Sequence, residues 1–89
     1  MGDEMAFKAL QAELYTSVIN PLQWMLQDGI SLDKVEQINL TLTRLLGGTT
    51  NGVALLALEH LRSTLEDQGE LRTGVVLTCK TLRRYADGL

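Results

Sequence analysis

Apolar residues return along this chain mostly at every third or fourth position, the spacing of a helical stripe rather than the alternation of a strand. In the segment Asp3 to Ile19 the stripe comprises Met5, Ala6, Leu10, Leu14 and Val18. Asp3 and Glu4 fall in its first turn, where the helix dipole favours negative charge. Asn20-Pro21 then interrupts, because a residue before proline is pushed out of the helical region while proline suits the first position of a new helix. The pattern predicts a short second helix, or a kinked continuation, from Pro21 to Asp28, ended by Gly29.

Ser31 stands where a helix cap belongs, followed by Asp33 and Glu36 early and Arg44 late. Leu32, Val35, Ile38, Leu42, Leu45 and Leu46 form the apolar face of this third segment. Residues 38–43, Ile-Asn-Leu-Thr-Leu-Thr, also alternate with the period of a strand, and charge placement decides for helix. Gly47-Gly48 stops it, and Thr49 to Gly52 reads as a loop that carries a cap for the next helix. That segment, Val53 to Gln68, is apolar on more than one face, which predicts the central helix, with Gly69 as its terminating glycine. The last runs from Glu70 to Asp87 with Leu71, Val75, Thr78, Leu82 and Tyr85 or Ala86 on one side. Gly74 weakens a helix there and residues 75–82 admit a strand, but Glu70 early and Lys80, Arg83 and Arg84 late again fit the dipole.

Composition narrows the class. A chain of 89 residues makes one domain, 1–89, and 45% hydrophobic content with 21% charged residues and a net charge of −3 excludes disorder. Leucine fills 18 positions against four for Phe, Tyr and Trp together, a bias toward helices over sheets. One cysteine, Cys79, excludes the disulfide framework of a small secreted protein. The acidic start Met1-Gly2-Asp3-Glu4 is unlike a signal peptide, and the longest apolar run, Val53 to Leu58, is far short of a membrane span. A cytoplasmic location is the expectation, so Asn39-Leu40-Thr41 counts for nothing as a glycosylation acceptor.

Candidate chemistry is sparse. Gly47 to Gly52 supplies the two glycines of a phosphate-binding loop, but Val53 and Ala54 stand where its lysine and hydroxyl belong, so the loop reads as helix punctuation and no cofactor is expected. His60 has no second His or Cys at ligand spacing, and Cys79 sits among Val75, Val76 and Leu82 as an inert core residue. No catalytic or metal-binding set is present, and the chain reads as a non-enzyme. Lys80-Thr81-Leu82-Arg83-Arg84-Tyr85 is the one basic cluster, opposed by a balance of 11 acidic to eight basic residues.

Trp24 and Met25 cannot both face one way on a short helix, so one is expected to meet a partner, and Trp24 is assigned to the core by its usual burial. Leu40, Leu55, Leu56 and Leu77 lie off the main stripes, in excess of what a domain this small covers internally. The expectation is an all-α domain of four to five helices, packed as helical hairpins around Val53 to Leu65 and dimeric. Its expected function is that of a non-catalytic homodimeric adaptor or regulator, of inhibitor or anti-activator type, that masks a surface on a partner protein. Trp24, Met25, Leu40, Leu55, Leu56, Arg83, Arg84 and Tyr85 are its candidate contacts. The competing expectation is a small DNA-binding regulator that reads with the basic C-terminal helix through Arg83, Arg84 and Tyr85.

Overall fold

A computed structural model describes the chain from Gly2 to Leu89, with side chains described from Met5 onward. Asp3 and Glu4, expected to complement the first helix dipole, lie outside the described side chains. The elements are α1 (Gly2–Leu14), a π-helical turn (Tyr15–Ile19), α2 (Asn20–Asp28), α3 (Leu32–Leu46), α4 (Gly52–Glu66), a 3-10 turn (Gln68–Glu70) and α5 (Leu71–Asp87). Every described segment that admitted a strand reading, residues 38–43 and 75–82 included, is helical. The fold is all-α. None of the described helices is long and apolar enough to cross a membrane.

Pro21 does not break the first helix. It has no N–H, and in a regular helix its ring would collide with the carbonyl four residues back. The chain widens instead: the Asn20 N–H reaches back five residues to the Tyr15 carbonyl, and Pro21 then opens the first turn of α2. α1, the π-turn and α2 therefore form one continuous helix of about 40 Å at 1.5 Å per residue, which accounts for the molecule's 44 Å long dimension. The five-residue step also sets Leu14 above Ile19, so that Val18 and Ile19, adjacent in sequence, are both fully buried. Gly29 ends the helix at φ 118°, a conformation that suits glycine, and its N–H caps the Met25 carbonyl.

The helices close a ring in which the long helix meets α3, α3 meets α4, α4 meets α5, and α5 returns to the long helix. Two hydrogen bonds fix the direction of the last contact. Arg72, at the start of α5, donates to the Leu26 carbonyl (3.0 Å), and Gln11 donates to the Ala86 carbonyl (2.8 Å), so α5 runs antiparallel to the long helix. The Leu26 carbonyl lies in the final turn of its helix, where no intrahelical donor remains, whereas the Ala86 carbonyl also accepts from the Leu89 N–H at 3.1 Å. Leu14, Val18, Leu22, Val35, Leu42, Leu61, Val75 and Leu82 are completely buried in the common core.

Several expectations need correction. α4 is not central: its core face is Ala54, Ala57, Leu61 and Thr64, while Leu55 and Leu56 are exposed. It is one wall of the ring, as the other helices are. It also ends at Glu66, where the Asp67 carboxylate accepts from the Gly69 N–H, so Gly69 belongs to the 3-10 turn and does not cap α4. Ser31 occupies the N-cap position of α3 without a side-chain hydrogen bond to the helix. Met5 and Ala6 are exposed, since the core stripe of α1 begins only at Leu10.

Gly74 explains the most extensive helix pairing. A Cβ at this position would lie 2.8 Å from both Cβ and Cγ2 of Thr64, and closer still to its hydroxyl oxygen. Only glycine lets α4 and α5 approach this far. The buried hydroxyls of Thr64 and Thr78 donate to the His60 and Gly74 carbonyls, each at 2.8 Å, so the contact strands neither. Gly74→Ala in an exposed helix should gain about 1 kcal/mol of helix propensity. Here we expect overpacking to dominate and the variant to lose about 1–3 kcal/mol in urea unfolding. The loss should shrink in a Thr64→Ala background, and strict additivity of the two substitutions would contradict the proposed contact.

Candidate interaction surface

A groove of about 540 Å³ lies between the long helix and α3. Thr16, Ser17, Asn20, Pro21 and Trp24 form one side, Lys34, Gln37 and Thr41 the other, with Met25 and Ile38 among the lining residues. Local sequence explains its character. Pro21 has no N–H to give to the Ser17 carbonyl four residues before it or the Thr16 carbonyl five before it, and both residues line the groove. The Glu13–Arg44 ion pair, at 3.5 Å, ties α1 to α3, and both partners are substantially exposed. Asp28 and Lys34 are the two charged residues lining the groove, and no ion pair joins them.

Trp24 stands on this groove with 63% of its surface exposed, whereas Met25 retains only 4%. The expected core role of Trp24 is thus overturned. Helix geometry separates neighbours by about 100°, and the row that carries Leu14, Val18 and Leu22 into the core takes Met25 with it. The large ring is left outside on a backbone fixed from both ends. Leu40, on α3, is 71% exposed, and helical spacing puts it one row beyond the groove residue Gln37.

Charge is absent over an unusual length here. From Leu14 to Gln27 no residue is ionisable in the neutral range, and the same holds from Gln37 to Thr43 on the facing helix. The interior of a protein interface is depleted of charge and enriched in tryptophan and methionine. Sequence reasoning singled out Trp24 and Leu40 but missed Thr16, Asn20, Gln37 and Thr41. The uncharged runs were visible in the sequence; that they face one another was not.

The other candidate residues fall elsewhere. Leu55, Leu56 and Leu77 are 43–47% exposed on α4 and α5, away from the groove lining. Arg83 and Arg84 are exposed near the end of α5, while the Tyr85 ring is partly buried against the core. Arg83 lies close to a carboxylate: the Tyr15 hydroxyl donates to Asp87, which holds the phenol above its ordinary pKa, and Arg83 acts on the same phenol in the opposite direction. The basic cluster is therefore interleaved with Asp87.

The glycine loop is engaged by the chain itself. Asn51 caps α4 by accepting from the Val53 and Ala54 N–H groups, at 2.9 and 3.2 Å, which are the donors a phosphate would use. Among the described residues no three His, Cys, Asp or Glu side chains gather as a metal site. Comparison of the chain with protein-family models, with curated proteins and with solved structures finds no match.

Cys79 is buried, and desolvation pushes its thiol up from an ordinary 9.0 to about 11, with Arg83 acting weakly against the shift. The unfolded chain releases this proton first, so between about pH 9 and pH 11 it binds fewer protons than the folded chain. Stability is expected to fall as pH rises through that window. Replacing Cys79 with alanine should flatten part of the fall in thermal unfolding. A native thiol that reacts with a disulfide reagent at pH 8 as fast as the unfolded chain would contradict its burial.

Proposed function

We propose that the protein is a non-catalytic interaction module, a homodimeric adaptor or regulator that acts by covering a surface of another protein. The observation that carries this reading is Trp24, a large ring left 63% exposed between Leu22 and Met25, which are buried. Ordering it costs little, because the backbone beneath it is already fixed, and preordered aromatic anchors are the usual centres of binding energy. Leu40, Leu55, Leu56 and Leu77 add apolar surface on three further helices, more than one contact face requires. One face serves self-association in this reading and another the partner.

On this view the ring of helices comprises paired hairpins, the short connections between α3, α4 and α5 setting neighbours side by side. The site offers shape and apolar contact. Regulation by masking needs only that.

Light scattering coupled to size exclusion tests the reading. A particle of twice 9.8 kDa at tens of micromolar is expected, and a monomer throughout that range would count against self-association. Duplex DNA supplies the contrast. Binding through Arg83 and Arg84 would weaken steeply with salt, and the slope would drop when both become alanine. We expect no such complex at physiological salt; a submicromolar, salt-sensitive one would favour the DNA-binding reading instead.

A further inference from the structure

Self-association, proposed above, requires a face, and this inference rests on that reading. We propose that a second copy of the chain docks on the face formed by the π-turn, α2 and α3, which carries charge only at Asp28 and Lys34 among its groove residues, with Trp24 of each protomer entering the groove of the other about a two-fold axis.

Three observations point to an identical copy. The first is electrostatic. Around a two-fold axis a surface meets itself, so any charge near the axis opposes its own sign, and a chain with 11 acidic and eight basic residues has few places where this is avoided. The runs Leu14 to Gln27 and Gln37 to Thr43 carry none. The second is shape. Trp24, 63% exposed, is itself part of the wall of a groove of about 540 Å³, so a ring from a second copy can enter the groove beside it while its own ring enters the other. Tryptophan is a donor without an acceptor, and Thr16 and Ser17, whose hydroxyls can accept, are among the residues that line the groove.

The third is the placement of charge at the edge. The groove has one carboxylate and one ammonium among its lining residues, Asp28 and Lys34, unpaired with each other within the chain. A two-fold axis offers each the opposite member from the second copy. The area needed is modest: a standard interface covers about 800 Å² on each partner, about one seventh of the 5652 Å² that the monomer exposes. The Leu55, Leu56 and Leu77 surface lies outside this contact and stays open for a different protein.

The test uses the full chain in four forms, each checked by circular dichroism. Trp24 is exposed, so Trp24→Lys and Trp24→Glu should fold and should each weaken dimerisation at least about thirty-fold by analytical ultracentrifugation. Mixing the two variants should restore a dimer, because opposite charges then meet near the axis. Leu56→Lys, on the other face, should dimerise as the unmodified protein does. A dimer unaffected by Trp24→Lys but lost with Leu56→Lys would overturn this inference and leave the interaction reading standing. An unmodified protein that is monomeric at hundreds of micromolar would overturn both. Lys and Glu variants that remain monomeric when mixed would show that Trp24 does not approach its counterpart, and would also overturn the inference.

Discussion

A proline inside the longest helix is the constraint on which the rest of this structure depends. Pro21 can neither donate to the carbonyl behind it nor tolerate that carbonyl at α-helical distance. The helix answers with a single wider turn, closed by the Asn20 N–H on Tyr15, and then continues to Asp28. One unbroken wall results, long enough for α5 to lie against it from Gln11 to Leu26. The same turn sets Leu14, Val18, Ile19, Leu22 and Met25 inward, and Trp24 outward. It also leaves polar backbone beside the ring. The groove and its exposed aromatic are therefore products of how the helix accommodates one residue.

The opposite wall is built on smallness. Gly74 allows α5 to pack closely on α4 at Thr64, and the buried face of α4 carries the small Ala54 and Ala57 while the adjacent Leu55 and Leu56 turn outward. Close packing of small residues and exposure of Leu55 and Leu56 are two sides of one arrangement. A domain of this size cannot bury all its leucines within itself. Its exposed apolar side chains include Trp24 and Leu40 beside the groove, Leu55, Leu56 and Leu77 on α4 and α5, and Met5 and Phe7 on α1.

Much of the fold was legible because helical periodicity is a local signal. The α3 face, with Val35, Ile38, Leu42 and Leu46 buried, and the α5 face, with Val75, Thr78 and Leu82 buried, derive directly from spacing. The stop at Gly29 and a cap somewhere in Thr49 to Gly52 were readable from equally local signals, and the cap is Asn51. What spacing did not reveal was relational. An all-round apolar segment suggested a central helix, yet the buried face of α4 is Ala54, Ala57, Leu61 and Thr64, and the close approach of α5 at Gly74 falls on Thr64. Pro21 read as the start of a second helix or of a kinked continuation; the chain continues, through a π-turn that leaves no mark in the residue pattern. Usual burial placed Trp24 in the core, whereas the phase of the helix, fixed by Leu14 through Leu22, selected Met25. Leu40, Leu55, Leu56 and Leu77 were correctly separated from the stripes, and all four are exposed; their distribution over distinct faces depends on tertiary packing.

Trp24 is the single tryptophan of the chain, so its fluorescence reports on the proposed interface without labels. The most direct measurement tracks its emission from nanomolar to hundreds of micromolar protein. A solvent-exposed maximum is predicted in the dilute monomer, shifting to shorter wavelength over the same concentrations at which light scattering records the dimer. An emission already short in wavelength at nanomolar concentration and constant thereafter would place Trp24 in the core and contradict the account.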